Sequence, residues 1–94
     1  MGGVSGADFR MESRLRDAGR GDAHALFDLG VAYSTGSGVG LNLIEAHKWF
    51  NLAAVAGLRL AQAARAEIAE DMSAREIAEA QRQARAWLGT ARAA

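Results

Sequence analysis

The sequence predicts an all-α chain of about five helices. Three observations lead there. Apolar residues recur every three to four positions, and no stretch alternates in the two-residue rhythm of a strand. Proline is absent from the 94 residues. Glycines and helix-capping residues punctuate the apolar stretches at short, regular intervals.

Residues 1–7, MGGVSGA, carry three glycines and a serine and are expected to be loose. From Asp8 to about Ala18 a short leading helix is expected, with Phe9, Met11, Leu15 and Ala18 as its apolar positions. Gly19 and Gly21 flank Arg20 and end it, because glycine lets the chain leave a helix through positive φ.

Asp22 is a good N-cap for a second helix over about 22–34. Ala25, Leu26, Leu29, Ala32 and Tyr33 form its apolar stripe. Gly30 in mid-helix costs about 1 kcal/mol against alanine, so it needs a reason. Close approach of a neighbouring helix supplies one. Thr35-Gly36-Ser37-Gly38-Val39-Gly40 reads as a loop, and Asn42 caps a third helix over about 43–56. Its buried seam is Leu43, Ala46, Trp49, Phe50 and Ala53, and Gly57 ends it.

A fourth helix is expected over about 59–71, with Leu60, Ala61, Ala64 and Ile68 apolar. Ser73 followed by Glu76 is a capping-box pattern that opens a fifth helix running toward residue 92. Ile77, Ala80, Ala84, Trp87, Leu88 and Ala91 form its stripe. Half the residues are hydrophobic, but many are alanine, which favours helix and adds little bulk to a core. A chain this short buries only about 60–65% of its unfolded surface, so the few large apolar side chains carry the packing.

Eleven basic and eleven acidic residues cancel to a net charge of zero. A nucleic-acid binder ordinarily carries a basic excess that releases counterions from phosphates, so the charge balance argues against nucleic acid as a partner. Arg75, Arg82, Arg85 and Arg92 gather in the last third, but Glu76 and Glu79 interleave with them, which reads as a solvated helix face. Without cysteine there is no disulfide or thiolate chemistry. No basic segment followed by an apolar one marks a secretory signal, and no apolar run approaches the ~20 residues that span a bilayer. Gly6 also stands where a myristoylation signal wants serine or threonine. The expected compartment is the cytoplasm.

Gly21 and Ala25 recur as Gly57 and Ala61, 36 residues on. Between them runs Ala25…Leu29-Gly30…Tyr33…Gly36-Ser37-Gly38-Val39…Ala46…Trp49-Phe50…Ala53-Ala54…Gly57. That string resembles one full unit of the Sel-one-like repeats, relatives of the tetratricopeptide repeats. A looser likeness extends through Ala61, Arg65, Ile68, Met72, Ile77 and Trp87, in the manner of a terminal unit. The chain departs from the family pattern at Gly40, at Arg65-Ala66 where leucine-glycine is usual, and before Gly21. The resemblance implies one helical repeat domain over 8–94: a leading helix at 8–20, a full unit at 21–57 and an atypical C-terminal helix pair at 58–94. It also implies antiparallel helix pairs stacked as a short right-handed α-solenoid. The residues give the same reading a physical basis. Small residues at Ala25, Gly30, Ala46, Ala53 and Ala54 let helices approach, and Leu29, Tyr33, Trp49 and Phe50 fill the gap, each aromatic contributing about 1.5–3 kcal/mol when buried.

Signals for chemistry are sparse. The glycine-rich loop is not a phosphate-binding G-x-G-x-x-G, because Leu41 occupies the last glycine position and no lysine-serine pair follows. His24 and Asp28 lie four apart and share a helix face, with His47 on another helix. Two histidines fall short of the three or four convergent ligands of a zinc site, and both are expected at exposed polar positions. No nucleophile-plus-base arrangement is specified, so no enzymatic activity, metal or cofactor is expected. The functional expectation is a protein-interaction module. The family resemblance implies a concave surface lined by the first helices, where His24, Asp28, Val31, Arg59 and Gln62 would touch a protein or peptide partner. Three alternatives stand beside it. One is a homodimer seam on Ile77, Ala84, Trp87 and Leu88. Another is a small hydrolase or metal-dependent enzyme using His24, Asp28 and His47. The last is a nucleic-acid contact through Arg75, Arg82 and Arg85.

Overall fold

Among the described residues five helices form, connected by turns of a few residues: α1 (Gly6–Gly19), α2 (Ala23–Thr35), α3 (Leu43–Val55), α4 (Arg59–Ala69) and α5 (Ala74–Ala93). The structure is a computed structural model that describes residues 6–93, with side chains over 11–90. No strand occurs among the described residues. Helix α1 starts at Gly6, two residues before the expected Asp8, so the expected loose segment shrinks to 1–5, which lies outside the described residues. Glycine is tolerated there because a first helical turn has no intrahelical partner for its N–H groups. The apolar roles expected of Phe9 and Ala91 also fall outside the described side chains.

The helix starts are where the capping residues put them. Asp22 Oδ1 accepts from the backbone N–H groups of His24 (2.9 Å) and Ala25 (3.1 Å). Asn42 Oδ1 accepts from Glu45 N at 3.1 Å. Ahead of α5 the capping box closes both ways, with Ser73 N donating to Glu76 Oε1 (2.8 Å) and Glu76 N to Ser73 Oγ (3.1 Å). Each satisfies donors that the helix itself leaves unpaired. Helix α4 is the exception, with Leu58 at its N-cap and no side-chain bond there.

The helix-to-helix turn after α1 and the one after α3 are the same structure. Asp22 N donates to Asp17 O and Gly21 N to Ala18 O; 36 residues on, Leu58 N donates to Ala53 O and Gly57 N to Ala54 O. Both are Schellman turns, and both need a left-handed residue at the crossing. Gly21 (φ 82°) and Gly57 (φ 105°) supply it. The alanines that follow, Ala25 and Ala61, are both buried. The α1–turn–α2 and α3–turn–α4 segments are thus equivalent in turn, helix start and buried alanine.

Helix α3 is the centre of the fold, packing against α2, α4 and α5, while α1 packs on α2. Its seam with α2 depends on Gly30. A Cβ placed there would stand 2.5 Å from Phe50 Cε1 and 2.9 Å from Phe50 Cγ. The missing side chain is what admits the ring, which also meets Phe27 at 5.3 Å between centroids. On another side of α3, Trp49 and Trp87 of α5 meet edge to face at 4.9 Å, an arrangement that suits the ring quadrupoles. Trp49 Nε1 donates to Glu45 Oε2 at 3.0 Å, so the indole is buried with its polar group satisfied. Leu29, Leu26, Leu52, Ala53, Ala61 and Ala84 complete the core. Helix α5 makes its closest approach to α3 rather than to α4, its sequence neighbour.

Candidate functional site

His24, Asp28 and Val31 are all exposed on α2, at i, i+4 and i+7. That spacing sets them on one stripe. The opposite side of the helix is fixed by Ala25, Leu29 and Ala32, all buried. The stripe is rigidly held at both ends, by the Asp22 cap and by the bonds of Gly36 N and Ser37 N to Ala32 O.

Arg59 and Gln62 are exposed on α4. The equivalence of the two turns sets Leu60, Ala64 and Glu67 of α4 in the register of His24, Asp28 and Val31. Arg59 and Gln62 fall instead in the register of Ala23 and Leu26. At about 100° per residue, Arg59 lies about 80° from the nearest residue of the stripe that continues α2, and Gln62 about 140°. The structure therefore brings three of the five expected partner contacts together, and sets Arg59 and Gln62 on a different side of their own helix. Of the α4 residues in register with the α2 stripe, Leu60 (62% exposed) and Glu67 are exposed and Ala64 is half-buried. The 36-residue spacing of Gly21 and Gly57 carried that signal, and needed only to be run forward along both helices.

The two histidines are separated. The antiparallel pairing of α2 and α3, which puts Gly30 against Phe50 and Asn42 N on Tyr33 O, sets His47 beside the last turns of α2. His24 sits at the other end of that helix, about two turns or roughly 10 Å away along the axis. The expectation of an exposed His47 is corrected: it is 3% exposed, and its Nδ1 has no hydrogen-bond partner among the described residues. Burial, and then the nearby Arg65 guanidinium, push its pKa below the ordinary imidazole value. One turn on, Asn51 Oδ1 accepts a hydrogen bond from Arg65 Nη1 of α4. His47, Asn51 and Arg65 thus form a polar cluster at the α3–α4 contact. Among the described residues no three His, Cys, Asp or Glu side chains converge in metal-binding geometry.

Tyr33 is half-buried rather than a full core residue, and burial followed by the charge of Glu45 raises its phenol pKa. In α5, Glu79 takes Arg82 through Nε at 2.9 Å and through Nη2, and Gln83 Nε2 at 2.9 Å. The Arg82 bond holds the Glu79 carboxyl down to about 2, with help from Gln83. One of the three arginines of the basic stripe is thereby matched by its own helix, while Arg75 and Arg85 stay exposed. The C-terminal apolar stripe is largely occupied within the chain, since Ala80 and Ala84 are buried and Trp87 meets Trp49 edge to face.

One apolar cleft of about 170 Å³ opens where the α1–α2 turn meets the ends of α3 and α5. Leu26, Leu52, Val55, Trp87 and Leu88 line it. No helix among the described residues is long and apolar enough to cross a membrane. No protein-family model, curated protein sequence or solved structure matches the chain.

Proposed function

We propose that the chain is a protein-interaction module, a short right-handed α-solenoid resembling Sel-one-like repeats, which holds a protein or peptide partner across its first helices. The observation that carries this is the α2 stripe of His24, Asp28 and Val31: exposed side chains of mixed chemistry on a helix capped at both ends and locked by its opposite face. A pre-ordered surface of that kind binds without first losing conformational entropy, which is how rigid helical modules gain affinity. The repeated Schellman turn supports the repeat reading, because stacked helix pairs of equal pitch are what a solenoid requires.

The test is affinity capture from the source lysate, read by mass spectrometry, with wild type beside two charge-changing variants. Asp28→Lys with Val31→Glu alters the α2 stripe, and Arg59→Glu with Gln62→Lys alters the other side of α4. A protein retained by wild type and lost by the helical, still-cooperative α2 variant supports the adaptor reading. Loss only with the α4 variant moves the surface to that side. Equal retention by all three removes both.

Self-association is a second reading, favoured by the open apolar cleft, since Val55 at its rim is 63% exposed and Trp87 and Leu88 belong to the expected C-terminal seam. Sedimentation across a concentration range distinguishes it: a monomer at all concentrations sets it aside.

A further inference from the structure

The equivalence of the two turns exposes a contrast between the two helix contacts that flank them. Shifted back 36 residues, His47, Asn51 and Arg65 fall on Met11, Leu15 and Leu29. At two of these positions the α1–α2 side is hydrocarbon packed inward, Leu29 being wholly buried and Met11 packed on the core, while Leu15 is 41% exposed. The α3–α4 contact is made at the same positions with an imidazole, an amide and a guanidinium. Polar groups at such a place must be satisfied to be tolerated, and His47 Nδ1 is not.

Helix α4 is also weakly held. Among its residues Ala61 alone is fully buried, no side chain caps its start, and Leu60 faces solvent. Helices α2 and α3, whose starts are capped by side chains, bury five and six residues, and α5, also capped, buries Ala80 and Ala84. A helix with one small anchor is drawn from the low end of local stability.

We propose that His47 is a pH-operated latch: protonation of its imidazole in mildly acidic solution releases α4 from α3 and uncovers the α3 face beneath it. The neutral ring leaves Nδ1 unpartnered in the closed contact but brings no charge into it. A second proton puts a cation in a site with little water, beside the Arg65 guanidinium. Both effects act in one direction, so the closed state disfavours the proton while an α4-released state, with His47 in water, titrates normally. The closed state binds fewer protons, so its advantage is whole above about pH 6.5 and is lost as pH falls below that value toward the depressed pKa of the closed state.

The groups around His47 leave Arg65 as its electrostatic partner. From α4 it is Arg65 whose charge acts on the ring. From α2, Asp28 and His24 face solvent and the Tyr33 phenol is influenced by Glu45. On its own helix, the Glu45 carboxylate is taken by Lys48 and Trp49. From α5, Glu79 is taken by Arg82 and Gln83. None of these carboxylates is placed to neutralise an imidazolium at 47.

Hydrogen exchange of the full chain at pH 7.5 and 5.5, corrected for intrinsic rates, tests the latch. Wild type is expected to lose protection in the amides of 59–69 by up to about tenfold, the change one proton gives per pH unit below 6.5, while α2 and α5 keep theirs. His47→Met, which borrows the side chain of the equivalent position, abolishes the response, and His24→Gln leaves it intact. An α4 whose protection does not change with pH in wild type, or a response that survives His47→Met, overturns the proposal. So does a loss of protection in all helices together, which is global unfolding rather than release of α4. Should His47→Met not fold, Arg65→Gln decides: without the guanidinium the closed-state imidazole is less depressed, so the acid loss of α4 protection is smaller and levels off at higher pH, and an unchanged response refutes the mechanism.

Discussion

Gly30→Ala pits two known effects against each other at one atom. In an exposed helix the substitution stabilises by about 1 kcal/mol, because alanine is the better helix former. At position 30 the new methyl would lie 2.5 Å from Phe50 Cε1 and 2.9 Å from Cγ. The second distance decides the sign. Rotating the ring about χ2 clears Cε1, but Cγ lies on that axis and moves only if χ1 leaves its rotamer or the helix shifts. Phe50 is 2% exposed and lies tilted against the Phe27 ring, so it has little room to move without opening the α2–α3 seam. Overpacking of this kind costs about 1–3 kcal/mol, and the upper half of that range applies where backbone must shift. Set against the propensity gain, the net expectation is a loss of about 1–2 kcal/mol, or roughly 5–15 °C in Tm for a chain of this size. Thermal and urea unfolding followed by circular dichroism measures it. Gly89→Ala in α5 is the matched control, because nothing lies within 4 Å of a Cβ there. It should be neutral or stabilising by up to about 1 kcal/mol. If Gly30→Ala is as stable as wild type, the α2–α3 contact is looser than described and the argument from Phe50 fails.

The cap and the aromatic seam give two further expectations. Asp22→Ala removes the acceptor for both His24 N and Ala25 N and should cost about 1 kcal/mol, read by urea titration, with Asp22→Asn recovering most of it. Trp87→Ala removes the edge-to-face partner of Trp49 and should cost about 2–4 kcal/mol, since the ring is partly rather than fully buried. The fluorescence of the remaining Trp49 should shift to the red as the variant admits water; an unchanged spectrum would mean that α5 does not lean on α3.

Helix boundaries were legible because capping is local. Asp22, Asn42 and the Ser73–Glu76 box each bond within three residues of themselves, so the chemistry that starts a helix lies in the same few letters that announce it. The mid-helix Gly30 was legible as a close approach because glycine there has a cost that only packing offsets. What it approaches was not, since Phe50 lies twenty residues on and the register of two helices is set by all their side chains together. The candidate surface was partly legible. His24, Asp28 and Val31 follow from the periodicity of one helix. The facing of Arg59 and Gln62 depends on how α4 is rotated against α3, and periodicity was weak there because alanine fills both sides of the helix.

The amino-acid sequence by itself determined an all-helical chain, the side-chain-capped starts of α2, α3 and α5 and the small-residue positions at which the helices meet, because those depend on backbone bonds and propensities that act over one or two turns. The tertiary structure decided three things. It placed α5 on α3, turned the C-terminal apolar stripe inward and buried His47 beside Arg65 while leaving Leu60 and Val55 in water. The physical reason is that α3 carries small or apolar residues on more than one side. Which helix covers which side is settled only when all of them compete for the same surface.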